Sequence, residues 1–234
     1  MNPSSNPVYC AIDTNDLARA EELAIQLHDY VGGIKLGLEF FMAHGRAGYQ
    51  VIAKHGRPIF LDLKLHDIPN TVAGAVASLA ALNPAYLTVH AAGGADMMRA
   101  AVEAVRKAGA HIKILAVTVL TSLNGADLAA IGQGTDTTQQ VIRLAHLAKA
   151  SGLDGVICSP DEIMPIRSQV GHDFTLMVPG IRPSWAKAQD QKRVKTPRQA
   201  MDDGATHLVI GRPITASPHP ADAAKRVLTE LAGS

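Results

Sequence analysis

A parallel (β/α)8 barrel of the TIM architecture, an α/β fold in a single domain over residues 1–234, is the fold this sequence predicts, and three observations predict it. Short apolar runs recur eight times along the chain, each followed by a longer stretch of mixed polarity. Strand and helix patterns alternate, which demands a parallel sheet with helical crossovers. The length, 234 residues, falls a little under the usual size of one such barrel. A doubly wound open sheet satisfies the same alternation and remains the structural alternative.

The strands are expected at residues 8–12, 33–36, 59–63, 86–90, 112–119, 155–158, 174–178 and 208–210. Each is a run of Val, Ile, Leu and small residues, as strands buried on both faces require. Amphipathic stretches at 17–27, 71–82, 95–108, 138–150 and 221–231 supply covering helices, with a short seventh segment at 196–203. Nearly half the residues are hydrophobic (47%) but only 4% are aromatic, so Ala, Val, Ile and Leu are expected to fill the core. Two connections, 121–137 and 180–195, are long and polar. Loops of that length in a compact domain are usually functional or disordered, and in a barrel both would lie at the C-terminal face of the strands.

With 22 basic and 21 acidic residues the net charge is +1. That balance gives no electrostatic case for nucleic acid or an anionic membrane as partner, so any anion must be held locally. Cys10 and Cys158 each sit in an apolar stretch and read as buried free thiols of a reducing compartment. No Cys/His spacing suggests zinc, and the ten histidines show no metal-binding pattern. The opening MNPSSNPVY has neither a basic nor an apolar region, so no signal peptide is expected. No apolar run approaches the ~18 residues of a membrane span. A cytoplasmic, soluble enzyme is the expectation.

The sharpest chemistry lies in Phe60-Leu61-Asp62-Leu63-Lys64-Leu65-His66-Asp67. Strand side chains alternate, so Asp62 and Lys64 are expected to point into the barrel while Leu61 and Leu63 face the helices. A buried carboxylate and ammonium are costly unless paired. A structural ion pair would satisfy that alone. Asp13 and Lys35, at the ends of the first two strands, favour a functional reading, because three strands then deliver four alternating charges to one mouth.

Asp62-x-Lys64-x-x-Asp67, continued by Ile68-Pro69-Asn70-Thr71-Val72, resembles the signature of the orotidine 5′-phosphate decarboxylase family. So do Ala11-Ile12-Asp13-Thr14, Ile34-Lys35-Leu36-Gly37, Val119-Leu120-Thr121-Ser122, Pro179-Gly180-Ile181-Arg182-Pro183 and Ile210-Gly211-Arg212-Pro213-Ile214. These matches run in order from residue 8 to about residue 215. The D-x-K-x-x-D element alone is shared with related sugar-phosphate decarboxylases; the longer string and the G-R-P-I are more specific.

The resemblance implies decarboxylation of orotidine 5′-phosphate without metal or organic cofactor. It implies Lys64 as proton donor to C6 of the pyrimidine and Asp62 beside the departing carboxylate. Lys35 and Asp13 would hold the ribose hydroxyls and orient the set. Thr121, with Ser122, would contact the pyrimidine. Asp67, Ile68 and Thr71 would reach into the site of a second subunit, making the active form a homodimer. Gln191, Gly211 and Arg212 would bind the phosphate, with Arg182 nearby. A phosphate site built by the loops after strands 7 and 8 is also what barrel enzymes commonly use, and a Gly-Arg pair suits an oxyanion.

Other features carry less. Gly132-Gln133-Gly134 lacks the context of a nucleotide loop and reads as a turn. His66 and His90 read as structural histidines. Two rival functions stand beside the main one. A Mg2+-dependent sugar-phosphate decarboxylase or aldolase of the same scaffold would carry an acidic ligand where this chain has Lys35. A non-catalytic ligand-binding barrel would lack some of the four charges, and all four are present.

Overall fold

The computed structural model describes residues 6–186 and 195–233. Eight parallel strands close into a barrel in sequence order: β1 (Val8–Ala11), β2 (Gly33–Gly37), β3 (Ile59–Leu65), β4 (Tyr86–His90), β5 (Lys113–Val117), β6 (Gly155–Ile157), β7 (Thr175–Val178) and β8 (His207–Ile210), with β8 pairing back onto β1. Closure removes the sheet edges an open doubly wound fold would keep.

The covering helices are α1 (Leu17–Leu27), α2 (Leu38–Ala53), α3 (Pro69–Ala80), α4 (Gly94–Lys107), α5 (Gly125–Ala130), α6 (Thr137–Ala150), α7 (Ile163–Val170), α8 (Pro197–Asp202), α9 (Arg212–Thr215) and α10 (Pro220–Ala232). Their ends follow local chemistry. Asp16 and Asp136 accept from backbone N–H groups three residues on, Thr196 and Gln199 form a reciprocal cap, and Pro stands in the first turn of α3, α8 and α10. No described helix is long and apolar enough to cross a membrane.

Two cores result. The larger lies between strands and helices and is built from aliphatic residues such as Leu36, Leu61, Leu63, Leu87 and Ile114. The smaller fills the barrel and is unexpectedly aromatic. Tyr9, Phe60 and Tyr86 meet edge to face, with ring centroids 5.7–6.3 Å apart, and His207 joins them. The expected small-aliphatic filling therefore holds outside the barrel but not inside it. Gly33 makes the plug possible, since a Cβ there would lie 2.1 Å from a Tyr9 ring carbon. All four rings come from the first or second residue of their strands, so the plug blocks the N-terminal end and leaves the C-terminal end open.

Three local features differ from the sequence expectation. α2, which the sequence reading does not single out, carries a kink at Gly45 (φ +55°). The connection 121–137 contains α5, held by a reciprocal cap between Asn124 and Asp127. β5 ends at Val117, and the next residue, Thr118, donates both its hydroxyl (3.0 Å) and its N–H (3.5 Å) to the Ile157 carbonyl.

Candidate active site

The alternation expected of β3 holds through Leu63. Phe60 and Asp62 point into the barrel; Leu61 and Leu63 join the outer core. Lys64 then departs from strand geometry, with φ +51°, in the left-handed region that non-glycine residues rarely occupy. The β3–β4 register slips at the same place: Leu61 pairs with Leu87, but the next pair is Leu65 with Val89. Such strain costs about 1–3 kcal/mol and persists only where the surroundings impose it. The same-side placement of Asp62 and Lys64 is thus reached by a bulge and not by simple pleating.

The four charges form one chain. Lys35 Nζ donates to Asp13 Oδ1 at 2.9 Å and lies 3.8 Å from Asp62 Oδ2. Lys64 Nζ donates to the same Asp62 oxygen at 2.6 Å. Lys35 and Asp62 are buried, at 9% and 8% exposure, while Asp13 is half exposed at the rim. Burial at that level is tolerable because each charge has an opposite neighbour within reach. Gly37 leaves the room: a Cβ there would stand 3.0 Å from both Asp13 Oδ1 and Lys35 Nζ.

Thr88, fully buried on β4, completes the arrangement. Its hydroxyl donates to Asp62 Oδ1 at 3.0 Å and accepts the Lys64 backbone N–H at 2.8 Å. Sequence reasoning passed it over. The available signal was a polar residue at an inward position of Tyr86–His90, two residues from Tyr86.

Three of the four charges line a cavity of about 220 Å³ at the open end of the barrel. Lys35, Asp62 and Lys64 make its charged wall; Phe60, Val117, Val119, Ile157 and Val209 make an apolar one. Thr121 also lines it, whereas the exposed Ser122 does not. Cys158 lines it too, but burial first, and then Glu162, push its thiol well above the usual range. It is a neutral wall and not a nucleophile. Burial also raises the Cys10 thiol, to about 12, with the Asp13 charge adding to it. Both cysteines are free. His66 and His90 stack with centroids 5.3 Å apart. Burial first, then the His66 and Lys64 charges, lower the His90 pKa.

The remaining expected residues surround this centre. Asp67, Ile68 and Thr71 are exposed, and Asp67 Oδ1 accepts the Ile68 N–H at 2.6 Å. Gly211 and Arg212 follow β8 at the cavity end, with Arg212 exposed as the first residue of α9. Arg182 is buried at 8% exposure in the connection after β7, and its N–H donates to the Lys195 carbonyl, tying the two ends of that loop together. Gln191 lies outside the described residues. Among the described residues no group of three or more His, Cys, Asp or Glu side chains gathers as a metal site.

Residues 6–227 match the model of the Orotidine 5′-phosphate decarboxylase / HUMPS family. The chain belongs to this family. Among curated orotidine 5′-phosphate decarboxylases it is similar to that of Paramagnetospirillum magneticum, 52% identical over 231 residues, covering 97% of this chain and 98% of the relative. It is similar also to that of Rhodospirillum rubrum, 50% identical over 236 residues, covering 98% and 96%. Among solved structures, the orotidine 5′-phosphate decarboxylase of Lactobacillus acidophilus superposes with a TM-score of 0.85 at 36% identity, covering 97% of this chain and 99% of that one. The barrel is therefore shared with that decarboxylase over nearly the full length of both chains.

Proposed function

We propose that this chain decarboxylates orotidine 5′-phosphate to uridine 5′-phosphate, the last step of pyrimidine nucleotide synthesis, and that the Asp13–Lys35–Asp62–Lys64 chain performs the chemistry. The observation that carries this reading is the charged chain itself: two carboxylates and two ammonium groups alternate at 2.6–3.8 Å, and Lys35, Asp62 and Lys64 face an apolar wall across one cavity. The likeness to relatives of that name, at about half identity over nearly the full length, supports it.

In this reading the bond from C6 to the carboxylate breaks, CO2 departs, and the electron pair stays on C6. Lys64 Nζ stabilises that developing charge and then gives C6 a proton; the resulting amine regains a proton from solvent. Fixed charges in a site shielded from water need little reorganisation during reaction, which is the basis of electrostatic preorganisation. Asp62 holds Lys64 and lies beside the leaving carboxylate. Lys35 and Asp13, with Asp67 from a second subunit, anchor the ribose and the set. Thr121, which lines the cavity, faces the pyrimidine, with Ser122 next to it in the same loop. Arg212, Gly211 and Gln191, with Arg182 near, take the phosphate, whose binding energy is available to the reacting end.

The reaction is proposed to proceed without metal or organic cofactor, with the barrel as its one catalytic domain. Lys35 supports this: its ammonium stands between the two carboxylates that a divalent cation would otherwise need. The proposed assembly is a homodimer. Ile68 at 66% exposure, with Leu38 at 44% and Met42 at 73%, leaves apolar surface beside the mouth that a second copy would cover. The near-balanced charge of +1 supports an enzyme with no nucleic-acid or membrane partner, and two free buried cysteines support a cytoplasmic one.

The test is the loss of orotidylate absorbance on adding purified protein dialysed against a strong chelator. Full turnover is expected. Activity that vanishes on dialysis and returns with Mg2+ would favour the sugar-phosphate relatives instead.

A further inference from the structure

Resting on the reading of Lys64 as proton donor, we infer that Thr88 is a positioning residue of this reaction: one hydroxyl sets both the Asp62 carboxylate and the Lys64 backbone. The geometry behind this is specific. Between paired residues, β3 advances from Leu61 to Leu65 while β4 advances only from Leu87 to Val89. At this bulge the Lys64 N–H donates to Thr88 Oγ1, 2.8 Å away. The same oxygen spends its single proton on Asp62 Oδ1 at 3.0 Å, leaving Oδ2 for the Lys64 and Lys35 ammonium groups. A hydroxyl has one donor and two acceptor sites, so it can serve both neighbours at once.

The consequence is a closed circuit. The Lys64 backbone binds Thr88, Thr88 binds Asp62, and Asp62 binds the Lys64 ammonium. The circuit holds Lys64 at φ +51° and fixes which Asp62 oxygen faces the ammonium groups. Thr88 is completely buried and sits outside the cavity lining, so it acts through Asp62 and Lys64 and not on substrate. Removing the hydroxyl leaves Lys64 free to relax out of the left-handed region, carrying Nζ away from the reacting carbon. A displacement on the ångström scale at a reacting group is enough to slow turnover severely.

Thr88→Val keeps the shape and removes the hydroxyl; Thr88→Ser keeps the hydroxyl and removes the methyl. Steady-state kcat and KM for orotidylate are measured for both, with circular dichroism and thermal melting to report folding, and Lys64→Ala is run in parallel. In Thr88→Val, kcat should fall roughly tenfold to a hundredfold, the worth of a hydrogen bond to a charged group. Its KM should move by no more than about threefold, because the proposed phosphate contacts lie on other strands. Thr88→Ser should recover kcat to within about threefold of the wild type. A folded Thr88→Val with a near-normal kcat overturns the proposal, as does a Thr88→Ser as slow as Thr88→Val. If Thr88→Val does not fold, Thr88→Cys replaces it with the same limits, since a thiol is a weak donor and acceptor. An active Lys64→Ala would instead bring down the proton-donor reading, and this inference with it; an inactive Lys64→Ala beside a fast Thr88→Val removes Thr88 alone.

Discussion

Individual side chains divide the barrel into two electrostatic ends. At the mouth, Asp62 accepts from Lys64, Lys35 approaches it, and Thr88 completes its partners. At the base, His207 Nε2 lies 2.8 Å from the Tyr86 hydroxyl inside the aromatic plug. Burial first, and then the Lys113 charge, hold the His207 pKa down at about 4, against 6.5 for an unperturbed histidine. The fold thus accepts the neutral ring. Because the folded pKa is the lower one, this stabilisation is fully present above about pH 6.5 and is lost as pH falls from there towards 4. Its size is on the order of 3 kcal/mol. Urea unfolding of the wild type and His207→Gln, from about pH 7 down to about pH 4.5, isolates it from the carboxylates that titrate in both. The wild type should lose more stability than the variant over that window. Parallel pH dependences would show that His207 does not carry it.

Elements position chemistry by where they end. β8 stops at Ile210, and Gly211 and Arg212 follow at once as the cap and first residue of α9. If Arg212 grips phosphate, Arg212→Ala should weaken orotidylate binding roughly tenfold to a hundredfold, the worth of a charged hydrogen bond, and barely change binding of the phosphate-free nucleoside. Equal effects on both would place Arg212 elsewhere. Much at this scale was legible in the sequence. The eight apolar runs read as strands because buried parallel strands are continuously hydrophobic, and Leu61 and Leu63 betrayed the outer face of β3. What escaped had no periodic signal. The aromatic plug depends on four residues far apart in sequence and on the missing side chain of Gly33. The left-handed Lys64 depends on a cross-strand hydroxyl, and a propensity reading of β3 would never choose that conformation for lysine.

The whole molecule, as one chain, presents a mouth with exposed apolar, polar and acidic neighbours: Asp67, Ile68 and Thr71 just past β3, and Leu38 and Met42 past β2. If a twofold dimer covers them, each site uses Lys64 from its own barrel and Asp67 from the other. Lys64→Ala and Asp67→Ala should each be nearly inactive alone. Mixed under subunit exchange, a heterodimer places both lesions in one site and leaves the other intact, so activity should rise to about a quarter of the wild-type level at random equal mixing. Flat activity, with exchange confirmed by mass spectrometry, would mean that Asp67 serves its own barrel. The charged wall as the reaction centre is tested most directly by single-turnover decarboxylation of orotidylate by Lys64→Ala, with circular dichroism on the same sample. The account predicts a folded protein, weakened by a few kcal/mol because Asp62 loses its closest partner, and no measurable turnover; a folded variant turning over near the wild-type rate would contradict it.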